Sequence, residues 1–228
     1  MFKVYNCIAT EHDLWLVGLA AVVCSLASYA AINLLRHARS SVGQMRGVWI
    51  VVSAVSTGFG IWATHFIAML AFAPGLPSGY NIKLTFLSLV AAIVLTGVGL
   101  AVAMRPGWRF GPALGGAIVA GGIAAMHYTG MTGFQVPGVL GWNGSLVVVS
   151  VLLAAGFGAV AANRIARPVT RFCKYGGALA MILAIVLLHF TGMAAVTVYP
   201  VFDIAVPPQT LSDSFMLVSI VVGISLMM

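Results

Sequence analysis

The chain has 228 residues, of which 61% are hydrophobic and only 7% charged, and its formal net charge is +7 at neutral pH. Soluble domains usually carry about 25% charged residues, so this composition excludes a soluble globular protein and indicates that a lipid bilayer surrounds the chain. The positive charge does not indicate a nucleic-acid partner, because the basic residues lie at the ends of apolar segments instead of forming one basic face.

Seven apolar stretches, most of about 20 residues, predict membrane-spanning helices. In chain order they run from Leu14 to Leu35, Val48 to Phe72, Leu84 to Met104, Pro112 to Phe134, Leu146 to Ala162, Gly176 to Tyr199 and Phe215 to Met228. The runs are unbroken and do not alternate, so they predict an all-α polytopic bundle. The first stretch lacks the basic start of a signal peptide, and we expect it to remain as a helix. The last one ends at the final residue, which predicts a natural chain that continues into an output module.

Charged residues are divided unevenly between the two sides of the predicted helices. The connections after the first, third and fifth helices contain nine of the eleven basic residues, namely Arg36, Arg39, Arg46, Arg105, Arg109, Arg164, Arg167, Arg171 and Lys174. The four acidic residues, Glu11, Asp13, Asp203 and Asp213, fall on the other side. By the positive-inside rule we expect an N-terminus outside and a C-terminus in the cytoplasm. The three cysteines have no plausible partners, so neither a disulfide nor a cysteine metal motif is predicted.

A histidine motif is repeated three times at constant spacing. The copies are Ala63 to Met69, Ala125 to Met131 and Leu187 to Met193, and their histidines are 62 residues apart twice over. A unit of this length is one helical hairpin, which predicts a single domain of three tandem two-helix repeats. The repeats cover about residues 12–74, 75–136 and 137–200, and a seventh helix follows at about 211–228. Because each repeat spans the membrane twice, all three motifs face the same side, in the outer half of the bilayer.

Each motif places a histidine and a methionine four residues apart, on one face of a helix and one turn from each other. The candidate ligands are therefore His65, Met69, His127, Met131, His189 and Met193. Three residues after each histidine there is a small residue that favours close approach of neighbouring helices, namely Ala68, Gly130 or Gly192. The pattern leaves open whether the three copies form one shared site, three separate pairs, or only a duplicated packing motif.

Neutral nitrogen and sulfur ligands away from any carboxylate favour an ion of low charge, because burying uncompensated charge becomes more costly with the square of the charge. Thioether sulfur is a soft ligand, so copper as Cu(I) is the leading ion. Met126, His12 and Asp13 are possible additional ligands. For His12 and Asp13, a solvated flank or a helix cap is the competing interpretation.

The segment Met126-His127-Tyr128-Thr129, followed by Gly130-Met131, closely resembles the MHYT domain, a bacterial integral-membrane sensory module, and the resemblance covers essentially the whole chain. It implies a multi-pass sensor of the bacterial inner membrane, with the six histidines and methionines above as copper ligands. It also implies detection of oxygen, nitric oxide or carbon monoxide, and a cytoplasmic output domain on the same chain, often for cyclic di-GMP turnover. The first repeat departs from the tetrapeptide with Thr64 in the methionine position.

We therefore expect a sensory domain and not an enzyme, since the sequence contains no carboxylate pair, nucleophile–base pair or phosphate loop. Its expected partners are the lipid bilayer, a diatomic gas, the output domain and a second copy of the chain in a homodimer, without nucleic acid. Copper that binds a gas or changes redox state would shift the hairpins and move the seventh helix. Two alternatives stay open: a haem-binding membrane electron-transfer protein and a copper transporter.

Overall fold

The apolar stretches fold into helices because only helices satisfy every backbone hydrogen bond within one segment surrounded by lipid. The computed structural model describes residues 2–166, 171–201 and 210–227. The helices in this part of the chain are α1 (Phe2–Glu11), α2 (Leu14–Ser40), α3 (Gly43–Ala71), α4 (Ile82–Ala103), α5 (Gly111–Gly133), α6 (Gly144–Ala166), α7 (Arg171–Ala194) and α8 (Asp213–Met227). The prediction of a helical membrane bundle is confirmed.

Five of the described helices, α2, α3, α4, α6 and α7, are long and apolar enough to cross a membrane. Helix α5 is equally long, with 23 residues, but its seven glycines lower its hydropathy. Helix α8 is apolar but has only 15 residues. A multi-pass membrane protein is therefore established, whereas the count of seven spans and the direction of the chain stay predictions.

Helices α3, α5 and α7 form the inside of the bundle, and α2, α4 and α6 surround them. Each helix from α2 to α7 packs against the next along the chain, α2 closes the ring against α7, and α5 also contacts both α3 and α7. More than 60% of the spans in α3 and α7 is buried, compared with a third or less in α2, α4 and α6. The three motif-bearing helices are thus the three inner ones.

Glycines let neighbouring helices approach until their backbones touch. A Cβ atom added at Gly99 on α4 would lie 2.6 Å from the carbonyl oxygen of Gly115 on α5. A Cβ atom at Gly158 on α6 would lie 2.6 Å from the carbonyl oxygen of Gly116. Lipid chains are as apolar as the side chains, so such close packing replaces the hydrophobic drive that holds helices together in water. Helix α5 is consequently in close backbone contact with α4 on one side and α6 on the other.

Short strands cover the end of the bundle where α3, α5 and α7 finish, which we call the strand end. β1 (Gly79–Asn81) pairs with β2 (Phe134–Gln135) and with β5 (Thr210–Leu211). β3 (Gly138–Trp142) pairs with β4 (Val196–Pro200) over five residues. The opposite end, where the predicted basic connections lie, is called the arginine end.

The structure corrects several predicted boundaries. The sixth apolar stretch is not helical to Tyr199, because α7 ends at Ala194 and the β-branched and aromatic residues that follow pair as β4. Helix α1 and all five strands were not predicted. Two residues of the sequence predictions lie outside the described residues: Asp203, predicted on the outer side, and Met228, predicted as the end of the seventh helix.

Replacing Gly116 by alanine should lower the thermal unfolding midpoint. The added Cβ would meet the carbonyl of Gly158 and lie 2.7 Å from the Cβ of Ala162; overpacking of this kind costs about 1–3 kcal/mol. Gly121→Ala is the matched control on the same helix, since a Cβ there has nothing within 4 Å. Thermal unfolding of the purified chain in detergent compares the two variants, and equal midpoints would contradict the close crossing.

Candidate metal centre

The three motif histidines lie on the inner helices near the strand end. His65 and His127 precede the last residues of α3 and α5 by six positions, and His189 precedes the end of α7 by five. At a rise of 1.5 Å per residue this is about 8–9 Å from the helix ends. All three side chains are buried, with at most 5% of their surface exposed.

The three imidazole rings converge on one point between the helices. The Nδ1 atom of His65 lies 3.1 Å from Nδ1 of His189 and 3.3 Å from Nδ1 of His127. The rings meet edge to face, with centroids 5.0–5.3 Å apart and interplanar angles of 73–83°. The structure thus brings the three histidines together in one cluster. The histidines of the three repeats do not lie in three separate places.

The second ring nitrogen points outward, at a glycine of the next repeat. A Cβ atom added at Gly130 would lie 2.8 Å from Nε2 of His65, and one at Gly192 would contact Nε2 of His127. The glycines of the second and third motifs therefore make room for the imidazoles of the preceding repeats, His65 and His127. From the sequence alone, these small residues predict only the close approach of helices.

The hydrogen-bond capacity of the cluster is only partly used within the described residues, because the Nδ1 atoms lie within hydrogen-bond distance of one another while the Nε2 atoms have no partner. A neutral imidazole has one N–H donor and one lone pair. The Nδ1 atom of His65 faces two other Nδ1 atoms, and the Nε2 atoms of all three rings are buried without a hydrogen-bond partner. Unpaired polar atoms of this kind are costly in an apolar interior. The arrangement can instead present three lone pairs to a cation.

The nitrogen spacing fits a metal ion. Imidazole nitrogens bind at about 2.0 Å, so three nitrogens in a plane around one ion are about 3.5 Å apart. The observed separations of 3.1 and 3.3 Å are within a few tenths of an ångström of that value. His65, His127 and His189 are the residues that would hold the ion, and they are the group of potential ligands identified in the described part of the chain.

The three predicted methionine ligands lie one helical turn nearer the strand end. Met69, Met131 and Met193 are at most 2% exposed and belong to the same buried cluster as Tyr80 and Phe134, which come from the strands. They form a layer next to the histidine layer, and sulfur ligation by these three residues stays a prediction.

A cavity of about 120 Å³ opens beside the histidines, between α2 and α7. Its walls are almost entirely apolar and include Val17, Ala20 and Ala21 of α2. Of the described methionines, Met126 lines this cavity together with the three rings. Thr64 and Leu188, which precede the other two motif histidines, line it as well. Met126 is therefore the sulfur ligand candidate that borders the open space.

His12 lies at the strand end, close to the third motif histidine. Its ring centroid is 5.5 Å from Phe190 and 6.4 Å from His189. Its Nδ1 atom is 2.8 Å from the carbonyl oxygen of Cys7, so Nδ1 donates and Nε2 retains its lone pair. Nε2 is buried without a hydrogen-bond partner, and burial lowers the pKa of His12, which keeps the ring neutral. His12 thus presents a fourth neutral nitrogen near the cluster.

Asp13 is exposed at the start of α2, where its carboxylate accepts a hydrogen bond of 2.8 Å from the backbone N–H of Trp15. It caps the helix, and it is not part of the histidine cluster.

Cys7, which has no role predicted from the sequence, packs on His12 with its sulfur 4.0 Å from Nδ1. Burial, followed by the charge of Glu11, raises the pKa of Cys7 to about 12, so the thiol is neutral. No spacing in the sequence indicates this contact.

Comparisons with known proteins assign two stretches of the chain to a family of signalling repeats. The MHYT family model, described as a bacterial signalling protein N terminal repeat, matches residues 58–116 and 121–175. An uncharacterized signaling protein of Caulobacter vibrioides is 39% identical over 96% of this chain and 27% of its own length. No solved structure matches the chain.

Two relatives from Pseudomonas aeruginosa are named for enzymes of cyclic di-GMP. The bifunctional diguanylate cyclase/cyclic di-GMP phosphodiesterase MucR is 36% identical over 82% of this chain and 28% of its own length. The cyclic di-GMP phosphodiesterase NbdA is 39% identical over 79% of this chain and 24% of its own length. The chain spans about a quarter of the length of these relatives. With its repeats matched by the family model over half of its residues, the chain belongs to the MHYT family of bacterial signalling proteins.

Proposed function

We propose that this chain is the sensory input domain of a bacterial inner-membrane signalling protein, and that it binds one copper ion through His65, His127 and His189 near the outer face of the membrane. The observation that carries the proposal is the convergence of three buried histidines whose ligand atoms all lie within 4.8 Å of one another, with the Nδ1 atom of His65 at 3.1 and 3.3 Å from the other two Nδ1 atoms. When bound, copper would supply a position for a diatomic gas or a one-electron redox couple.

The neutral surroundings support Cu(I). Within the described residues no carboxylate joins the histidine cluster. A divalent ion would keep its full charge there, whereas a monovalent ion limits the cost of burial. The sulfur of Met126, which borders the same cavity, is a soft ligand that suits Cu(I).

The distances support a single ion in preference to haem. Two axial histidines bind haem iron from opposite sides, so their nitrogens are about 4 Å apart with the macrocycle between them. Nitrogen atoms at 3.1 and 3.3 Å leave no such gap. A transporter would need a polar path toward the arginine end, where the cavity between the same helices has a volume of only about 30 Å³ and mostly apolar walls.

The apolar cavity between α2 and α7 supports the detection of a small uncharged molecule. Oxygen, nitric oxide and carbon monoxide dissolve in hydrocarbon, and the almost entirely apolar walls of the cavity reach the three rings. A charged solute would lose its hydration on that path without compensation. The chain's own contribution is therefore to exclude water and ions while leaving the cluster accessible to small apolar molecules.

Helix α3 provides a route from the cluster to α8. His65 lies on α3, and Phe59 on the same helix packs so closely on α8 that a Cβ at Gly223 would overlap its ring. The Phe59 ring also contacts Trp62, with centroids 5.6 Å apart. A ligand shifts such a bundle only by binding one arrangement more tightly than the other. We infer that occupancy of the cluster changes the position of α3 and, through Phe59, that of α8.

The names of the Pseudomonas relatives support an output in cyclic di-GMP turnover. Because this chain corresponds to about a quarter of those proteins, catalysis would belong to cytoplasmic domains outside the 228 residues. The domain itself would act as a sensor without catalytic activity.

Replacing His127 by alanine should lower copper affinity by at least about 100-fold, since it removes one of three ligands. Elemental analysis of the purified chain, loaded under reducing conditions, measures copper per chain. His37→Ala is the matched control, because His37 stacks on Trp49 with centroids 5.0 Å apart at the arginine end. His127→Asn, checked for helical content by circular dichroism, separates ligand loss from misfolding. Equal copper in the wild type and His127→Ala would sink the proposal.

Replacing Gly192 by alanine should weaken copper binding by about tenfold or more without removing a ligand. The new Cβ would meet Nε2 of His127 and push the ring away from the other two. Gly176→Ala, on the same helix and with nothing within 4 Å of the added Cβ, should bind copper like the wild type. A competition titration with a Cu(I) chelator gives both affinities. If the two variants bind equally well, the ring position does not matter and the geometry proposed for the site is wrong.

Replacing His12 by alanine should reduce Cu(I) affinity by about tenfold, the effect expected when an outer ligand or supporting ring is lost. The neighbouring substitution Asp13→Asn keeps a capping side chain and removes only the negative charge, so its affinity should equal that of the wild type. The same chelator titration measures both. A loss of Cu(I) affinity in Asp13→Asn, with no loss in His12→Ala, would show that the Asp13 carboxylate supports the site and that the His12 ring does not.

A further inference from the structure

A second cavity, of about 390 Å³, lies at the arginine end of the bundle, opposite the histidine cluster. Four arginines from three segments line it: Arg39 at the end of α2, Arg46 at the start of α3, and Arg105 and Arg109 in the connection between α4 and α5. The positive-inside rule accounts for arginines on this side of a membrane protein, but it does not require four of them to face one concave space.

Two of these arginines are held in place by the last carbonyls of neighbouring helices. Arg39 donates from Nη1 to the carbonyl oxygen of Ile165 on α6, over 2.8 Å. Arg46 donates from Nη2 to the carbonyl oxygen of Met104, which caps α4. Such terminal carbonyls have no partner within their own helix. Because a guanidinium has five N–H donors, each side chain is oriented by one contact and keeps further donors for a ligand.

The other two arginines belong to a tight connection. Gly107 has a φ of +73°, a conformation that favours glycine, and it lets the chain turn between Arg105 and Arg109. Helix α5 begins directly afterwards, and Pro112 in its first turn lines the cavity. The partial positive charge at the start of α5 therefore adds to the charge of the arginines.

No acidic residue of the described chain balances this charge. Glu11, Asp13 and Asp213 all lie at the strand end, beside the starts of α2 and α8. Four like charges around one concave surface repel each other and create a strongly positive potential. An anion with several oxygen acceptors relieves the repulsion, and arginine is the side chain best suited to bind phosphate oxygens in pairs.

We propose that this cavity binds the phosphate of a phosphodiester. Two sources share that chemistry: the headgroup of an anionic phospholipid, and a soluble phosphodiester such as a cyclic dinucleotide. The surroundings favour the lipid, because Trp108 and Phe110, aromatic residues typical of the membrane surface, are exposed beside the cavity. Basic pockets between helices on the cytoplasmic side are where lipid headgroups bind.

The test uses the full chain, purified in detergent and stripped of lipid. Phosphatidylglycerol, phosphatidylcholine, cyclic di-GMP and inorganic phosphate are titrated separately, and binding is followed by the thermal unfolding midpoint and by native mass spectrometry. The double variant Arg105→Gln/Arg109→Gln removes two cavity charges and leaves Arg39 and Arg46 bonded to the ends of α6 and α4. Arg36→Gln/Arg164→Gln is the matched control, since it removes two exposed arginines of the same end that do not line the cavity.

Phosphatidylglycerol, but not phosphatidylcholine, should stabilise the wild type and the control. Its affinity for the cavity variant should be at least tenfold lower, or about 1.4 kcal/mol. Stabilisation by cyclic di-GMP alone, with the same loss in the cavity variant, would keep the site and assign it to the soluble phosphodiester. Equal responses of the cavity variant and the control, or stabilisation by inorganic phosphate as strong as by either diester, would overturn the proposal. Unchanged helical content and copper binding in the cavity variant exclude misfolding as the cause.

Discussion

The burial of three imidazole rings at the centre of a helical membrane bundle is the constraint on which this architecture depends. Each ring needs space that an apolar core does not ordinarily leave, and the glycines of the following repeats, Gly130 and Gly192, provide it for His65 and His127. The rings therefore set the spacing of α3, α5 and α7. The surrounding helices α2, α4 and α6 are a third buried or less, so most of their surface faces outward, toward lipid.

The sequence predicts what depends on local periodicity. Apolar length predicts the helices, and the constant spacing of the three motifs predicts that their histidines share a level and a side. The methionines illustrate the limit: His65 and Met69 share a helical face, but the angle at which helices cross decides which turn of that face meets its neighbours. The strands, the contact of His12 with Cys7 and the arginine cavity depend on pairings between distant segments, such as Tyr80 with Leu211, for which no local pattern exists.

The two ends of the bundle carry complementary chemistry on the same helices. Helix α3 begins beside Arg46, which is bonded to the end of α4, and carries His65 near its other end. Helix α5 likewise begins at the arginine cavity and carries His127. A displacement of either helix along its axis changes both ends together. This mechanical continuity is suited to a domain that receives a signal on one side of a membrane and delivers it on the other.

The three repeats are not equivalent around the cluster. Helices α3 and α7 approach each other less closely than the other two inner pairs of helices do. The first repeat also has Ala68 where the second and third repeats have glycine. The cavity opens on this flank, towards α2. Under the proposed function, a small molecule would reach the rings on this flank through a space with almost entirely apolar walls. Selectivity under that proposal would begin with partitioning into an apolar space, before the ligand touches any of the three rings.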